Sequence, residues 1–265
     1  MNIEEADYTV FDLETTGLFA GAGDAICEIG AIRTGPDGTQ RSFETLVDPK
    51  RPVSREAQAL NRIIPDMLEG KPEIGDVLPD FMDFIKGSVL AAYNARFDIS
   101  FLAAALGERR VLLNEFRVVD VLELARRCFD VEDGYSLGSV ARHLGMPEGR
   151  AHRAIPDVIV TLEVFRKTMP ILRARGVEKV EDISRVYYQT AVGVAPAPSV
   201  VADRLALAIR EKITVKVRYK SPWKDMVTER TITPIRIQGE YVYSFCHLRG
   251  GMRTFLIKHI ECVDP

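Results

Sequence analysis

The sequence predicts an α/β protein: a mixed β-sheet flanked by helices, followed by a small, mostly-β, barrel-like module. Three observations carry this. Short apolar runs with strand-like alternation open the chain. Helical periodicities interleaved with single short strands come next, the signature of a layered α/β domain. A small-residue, proline-rich stretch, Ala195-Pro196-Ala197-Pro198-Ser199, then precedes a tail of closely spaced strand-like runs. The expected units are residues 1–175, a linker over 176–199, and residues 200–265.

Taken in order, Tyr8 to Leu13 is a short apolar run that reads as a buried strand, and Ala25 to Ile32 reads as a second. Pro36-Asp37-Gly38 is a turn signal. Gln40 to Val47 alternates through Phe43, Thr45 and Val47, so the opening is an antiparallel meander. Ile74, Val77, Leu78, Phe81, Phe84 and Ile85 share one helical face. Val89 to Ala92 is a short strand and Asp98 to Leu106 a helix; Val119 precedes another helix ending near Cys128. Ser136 suits the N-cap of a helix from Leu137 to Leu144, which Gly145 ends. A longer helix runs from near Pro156 to Thr168. The tail has a helix over Ala202–Glu211, then strands near Val215–Tyr219, Arg230–Ile237, Tyr241–His247, Arg253–Ile257 and Ile260–Val263.

Bulk properties narrow the class. Hydrophobic residues make up 46% and charged residues 28% of the 265, an ordinary globular balance. The net charge of −3 does not advertise a nucleic-acid binder, but it is uneven. Residues 200–265 carry net +5 and residues 1–199 net −8. A basic tail can contact phosphates, and an acidic front half can build a metal site; chance scatter gives the same imbalance. None of Cys27, Cys128, Cys246 and Cys262 forms a C-x-x-C pair, so zinc-knuckle spacing is missing. Met1 to Asp7 is acidic and unlike a signal peptide, and no apolar run approaches the roughly 20 residues of a membrane span. A reduced, cytoplasmic setting is expected.

Three elements carry chemistry. The first strand ends Phe11-Asp12-Leu13-Glu14-Thr15-Thr16-Gly17, and strand alternation puts Asp12 and Glu14 on one side. Two carboxylates at the end of an apolar run are costly unless something pairs with them. Hard divalent cations prefer such oxygen ligands, whereas a solvated strand end needs no ion. Next, Tyr93-Asn94-Ala95-Arg96-Phe97-Asp98 places an acid at a helix start, where the helix dipole favours it in any case. The last element is His152-Arg153-Ala154-Ile155-Pro156-Asp157. Proline is welcome in a first helical turn, so Asp157 falls in that turn with His152 just ahead.

Asp-x-Glu on a strand, then Asn-x-x-Phe-Asp, then His-x-Ala-x-x-Asp, resembles the three motifs of the DEDDh 3′→5′ exonucleases, the family of the polymerase III epsilon subunit. The likeness covers roughly residues 7–170 and includes Glu28-Ile29-Gly30-Ala31, the Ser54–Ile63 region and Asp120-Val121-Leu122. It implies an RNase H-like fold and two Mg²⁺ or Mn²⁺ ions held by Asp12, Glu14, Asp98 and Asp157. It also implies His152 as general base, a task suited to a group titrating near neutrality. Backbone around Leu13 to Thr15, with the Thr15 side chain, would hold the terminal 3′-hydroxyl; Thr16 and Asn94 belong to the same substrate-binding set. Leu18 and Phe97 are candidates for stacking on the last bases, with core packing as the alternative for both. Tyr93 stands where many relatives have histidine, and Pro156 directly precedes the last ligand.

The tail, with Tyr219, Arg230, Pro234, Glu240-Tyr241-Val242 and Arg253-Thr254-Phe255, resembles a WYL domain with a degenerate signature. That likeness implies a regulatory module binding nucleic acid or a nucleotide-like ligand, with Arg230, Arg249 and Arg253 as contacts; solvated strand charges are the alternative. Gln189 to Val194 is loosely similar to sliding-clamp peptides but lacks their large apolar anchors.

The expected activity is metal-dependent 3′→5′ hydrolysis of single-stranded DNA to nucleoside monophosphates, in DNA repair or beside a DNA polymerase partner. A 3′→5′ exoribonuclease is the second reading, since no motif reports on the 2′-hydroxyl. A catalytically silent nucleic-acid-binding protein is the third, and the intact set of acids argues against it.

Overall fold

The structure, a computed structural model, describes residues 1–147, 152–185, 200–220, 227–238 and 241–264. It divides into two compact units, Met1–Thr190 and Ala191–Pro265. The proline-rich stretch at 195–199, the 189–194 segment and Glu240 lie outside the described residues.

In the first unit, β1 (Tyr8–Thr15), β2 (Ile26–Thr34) and β3 (Gln40–Leu46) form the antiparallel meander. Three helices follow: α1 (Arg55–Asn61), α2 (Pro65–Leu68) and α3 (Ile74–Ile85). Ser54 caps α1 by accepting from the Ala57 N–H, which satisfies one of the first-turn donors that a helix leaves open. Strand β4 (Val89–Ala92) runs parallel to β1 and leads into α4 (Arg96–Leu106). Strand β5 (Val118–Asp120) feeds directly into α5 (Val121–Cys128), and α6 (Leu137–His143) and α7 (Ala154–Ala174) complete the helical layer. Ser136 caps α6 through the Ser139 N–H.

Val180–Ile183 and Ser184–Arg185 form a short helix, α8, and an edge strand, β6, where the sequence suggests linker. Val180 and Ile183 are buried, and β6 closes the sheet by pairing with β5. The sheet order is β3-β2-β1-β4-β5-β6.

Strand alternation builds a core on each face of this sheet. Phe11 and Leu13 of β1 and Leu90 of β4 pack with Phe81 and Ile85 of α3 and Leu102 of α4. Tyr8, Val10, Val89 and Ala91 pack on the other face with Leu124 of α5 and with Val158, Leu162 and Phe165 of α7. Asp12 and Glu14 continue the Tyr8–Val10 face beyond this apolar layer, at the end of β1.

The second unit begins with α9 (Val200–Glu211) and continues with β7 (Val215–Lys220), β8 (Val227–Gln238), β9 (Tyr241–Cys246), β10 (Gly251–Leu256) and β11 (Ile260–Asp264). The five strands make an antiparallel sheet in the order β10-β9-β8-β7-β11. Among the described residues no ladder joins β10 to β11. Its inner face (Val215, Val217, Ile232, Val242, Phe255) is covered by Leu205 and Ala208 of α9. Among the described residues, no helix is long and apolar enough to cross a membrane.

Candidate active site

Asp12, Glu14 and Asp157 converge: each offers a carboxylate oxygen, and these atoms lie within 4.8 Å of one another. The register of β1 on β2 explains how. Asp12 lies opposite Gly30 and Glu14 opposite Glu28. A Cβ on Gly30 would stand 2.7 Å from the Ala154 Cβ and 2.8 Å from the Ile155 nitrogen. The bare glycine thus lets the start of α7 press onto the sheet beside Asp12, and Asp157, in the first turn of that helix, comes down among the β1 acids.

Glu28 holds the same helix start. It is 1% exposed and accepts from Arg153 Nε, from Arg153 Nη2 at 2.5 Å and from the Ala154 N–H at 3.0 Å. His152 adopts a left-handed backbone (φ 66) and donates its N–H to Asp157 Oδ2 at 2.9 Å, while its side chain is exposed.

Asp98 approaches from the opposite core and is not among the three acids whose oxygens converge. Strand β1 pairs with β4 only through Tyr8–Val10. Beyond that pairing the Leu13 N–H is taken by Asp98 Oδ1 at 3.0 Å. Asp98 is buried and its charge bears on Asp12.

The electrostatics are those of a crowded anionic pocket. Burial, then the charges of Asp98, Glu14, Asp157 and Glu28, hold the Asp12 carboxyl well above the usual range. Burial and the charges of Asp157 and Glu28 push Glu14 up to about 7, against the opposing pull of an Asn61 hydrogen bond and Arg153. Asp98 and Asp157 are raised too, chiefly by burial; the Leu13 N–H tempers the first and the His152 N–H the second. Hard oxygen donors at this spacing, all reluctant to ionise together, are what a divalent cation relieves.

The other residues singled out by sequence fall as follows. Thr15 Oγ1 donates to the Gly17 carbonyl at 2.6 Å, and Thr16 Oγ1 accepts from the Ala25 N–H at 3.0 Å. Both threonines are buried and shape the turn after β1. With the Leu13 N–H given to Asp98, that donor is not available to a 3′-hydroxyl. Leu18 is 47% exposed. Phe97 is half-buried against Phe101, with ring centroids 4.9 Å apart. Asn94 is exposed, in left-handed conformation, with its N–H on Asp120 Oδ1. Tyr93 turns its hydroxyl to the Tyr135 carbonyl.

In the second unit Arg230 lies on β8, Arg253 on β10 and Arg249 in the turn before β10. Arg230 Nε bonds Thr228, and Arg249 and Arg253 are exposed. The three occupy separate elements.

Residue-by-residue reading passed over the role of Glu28. Its signal was available: a lone acid in the apolar run Ile26-Cys27-Glu28-Ile29 must find a partner if that strand is central. Asn61 was passed over as well. It donates to the Thr15 carbonyl at 3.4 Å and hydrogen-bonds Glu14.

The Exonuclease family model matches residues 9–165, and the WYL domain model matches residues 200–265. The chain is 38% identical over 164 residues to the DNA polymerase III subunit epsilon of Treponema pallidum, a match covering 61% of this chain and 76% of that one. It is 36% identical over 194 residues to the PolC-type DNA polymerase III of Caldanaerobacter subterraneus, covering 73% of this chain. The match spans only 14% of that relative. Among solved structures, E. coli Exonuclease I in complex with a dT13 oligonucleotide aligns over 98% of this chain and 65% of its own. The TM-score is 0.57 at 13% identity, a likeness of fold.

Proposed function

This chain belongs to the exonuclease family, and on that premise we propose that it hydrolyses the terminal phosphodiester of single-stranded DNA, shortening the strand from its 3′ end. The observation that carries the reading is the convergence of Asp12, Glu14 and Asp157, with Asp98 behind Asp12 and His152 at the start of α7. All four acids offer only oxygen, a donor set that fits Mg²⁺ or Mn²⁺, and Asp12, Glu14, Asp98 and Asp157 would hold two such ions. Such ions, when bound, activate the attacking water and stabilise the leaving oxygen of an in-line displacement.

The chain's own residues supply the rest. The exposed His152 ring accepts the proton of the attacking water. Water bonds to phosphorus, the bond from phosphorus to the 3′ oxygen breaks, that oxygen takes a proton from solvent, and the products are a nucleoside 5′-monophosphate and a new 3′-hydroxyl. The exposed Leu18 and half-buried Phe97 offer apolar surface to the last bases. In the second unit, the net charge of +5 over residues 200–265 supports a role in holding phosphate, with Arg249 and Arg253 exposed for it. The epsilon-subunit name of the Treponema pallidum relative supports work beside a DNA polymerase.

The test is digestion of a 5′-labelled single-stranded DNA, with a matched RNA beside it, in Mg²⁺, in Mn²⁺ and in chelator, using the intact chain and Asp12→Ala. A one-nucleotide ladder from the 3′ end of the DNA, absent in chelator and in the variant, is expected. Cleavage of the RNA alone would replace the substrate class. Cleavage of neither strand would overturn the reading.

A further inference from the structure

We infer that Glu28 is a positioning residue: through Arg153 and the Ala154 N–H it fixes the first turn of α7, and with it the geometry between His152 and Asp157. The inference rests on the proposed reading of those two residues as base and metal ligand.

Glu28 faces Glu14 directly across the β1–β2 ladder. Two like charges at such a cross-strand position repel, so the arrangement needs a reason. Geometry supplies one. Arg153 Nε lies 3.1 and 3.0 Å from the two carboxylate oxygens of Glu28, and Arg153 Nη2 lies 2.5 Å from Oε1. Oε2 also accepts the Ala154 N–H at 3.0 Å. That N–H belongs to the first helical residue of α7, one of the donors that a helix leaves unsatisfied. Arg153, the N-cap, offers it no side-chain cap. Glu28 therefore caps α7 from a neighbouring strand while pairing with its N-cap residue.

Two features show that this clamp sets direction and does more than add stability. His152 precedes Arg153 directly and is held in a left-handed conformation, rare for a residue with a side chain. Its N–H closes the turn onto Asp157 Oδ2 at 2.9 Å. The second feature is Gly30, two residues along the same face of β2, where the lack of a Cβ admits the Ala154 and Ile155 backbone. Glu28 pulls the helix start down and Gly30 makes room for it. Asp157 reaches Asp12 and Glu14 only from a helix seated this way. With both of its oxygens engaged by α7, Glu28 stands beside the metal ligands as the group that aims one of them.

The experiment uses the full chain with Glu28→Gln, Arg153→Lys and Arg153→Ala. Two quantities are read: hydrogen exchange at the His152 amide, and Mn²⁺ affinity by calorimetry with Mn²⁺ alone as probe. Glu28→Gln and Arg153→Ala are expected to speed exchange at His152 at least 10-fold while the amides of β4 keep their wild-type rates. Mn²⁺ affinity should fall about 10- to 100-fold, the range found when groups that orient metal ligands are removed. Arg153→Lys, which keeps the charge and one donor, should recover part of both. A purely structural role would lower the melting temperature and leave both quantities, measured on folded protein, unchanged; that result overturns the inference. So does wild-type exchange at His152 in Arg153→Ala, read on protein whose β4 amides keep their wild-type rates. If the wild-type chain itself binds no Mn²⁺, the proposed function fails, and exchange at His152 still decides the role of Glu28.

Discussion

Removing the metal should make the first unit lose stability as pH rises, the reverse of ordinary acid denaturation. In the metal-free chain, burial and neighbouring charges push the Glu14 carboxyl from 4.5 up to about 7. A carboxyl that holds its proton more tightly in the fold carries more protons natively than unfolded between these two values. Its contribution is fully present below pH 4.5 and is lost as pH rises through about 7. At about 1.4 kcal/mol per pH unit, Glu14 alone accounts for about 3 kcal/mol. Asp12, Asp98 and Asp157 are raised in the same sense and deepen the fall. A loss of that size moves the melting temperature of a unit this large by on the order of 10 °C.

The assay is unfolding in chelator from pH 5 to 8, followed by hydrogen exchange of the β1 amides so that the first unit is read by itself. Mg²⁺ at about 100 times its Kd should then restore about 2.7 kcal/mol at pH 8. It should restore far less at pH 5, where protons occupy the carboxylates. Metal-free stability that is flat or rising between pH 5 and 8 would refute the reasoning, as would equal rescue by Mg²⁺ at both ends.

Asp12→Asn should stabilise the metal-free chain at pH 8, because it removes one of the mutually repelling charges, and should abolish cleavage; a melt and a digestion read the two. Gly30→Ala forces a Cβ against Ala154 and Ile155 and should cost about 1–3 kcal/mol, as overpacking does. Although it removes no ligand, it should weaken Mn²⁺ binding, which calorimetry detects. Asp120 caps α5 by accepting from Leu122 and Glu123 and also takes the Asn94 N–H. Asp120→Ala should cost about 1–2 kcal/mol in urea unfolding and loosen the turn ahead of Asp98.

Much of this was legible in the sequence wherever the cause is local. The strand Val89–Ala92, the cap Ser136 and the shared face of Asp12 and Glu14 all follow from periodicity and capping chemistry over a few residues. Elements whose stability comes from elsewhere were harder to see. Helix α7 runs to Ala174, past the expected end at Thr168, straight through Pro170. Pro170 and Arg166 are exposed, so water can satisfy the carbonyl that the missing N–H leaves open, while Leu172 stays buried and keeps the helix packed. Strand β6 has two residues and exists only because β5 offers an edge.

The site illustrates the same division at higher stakes. Each acid was visible, and the period-2 rule paired Asp12 with Glu14, but no local rule brings Asp157 to them. That contact depends on register, which sets Gly30 opposite Asp12 and Glu28 opposite Glu14. A slip of one residue would turn Glu28 and Gly30 to the other face of the sheet, away from α7. The space for Ala154 would be lost together with the carboxylate that grips Arg153. The proposed metal site would therefore be specified as much by Glu28 and Gly30 of β2 as by the acids proposed to hold the ion. A β2 variant that preserves every ligand yet shifts this register should lose metal binding as completely as Asp157→Asn.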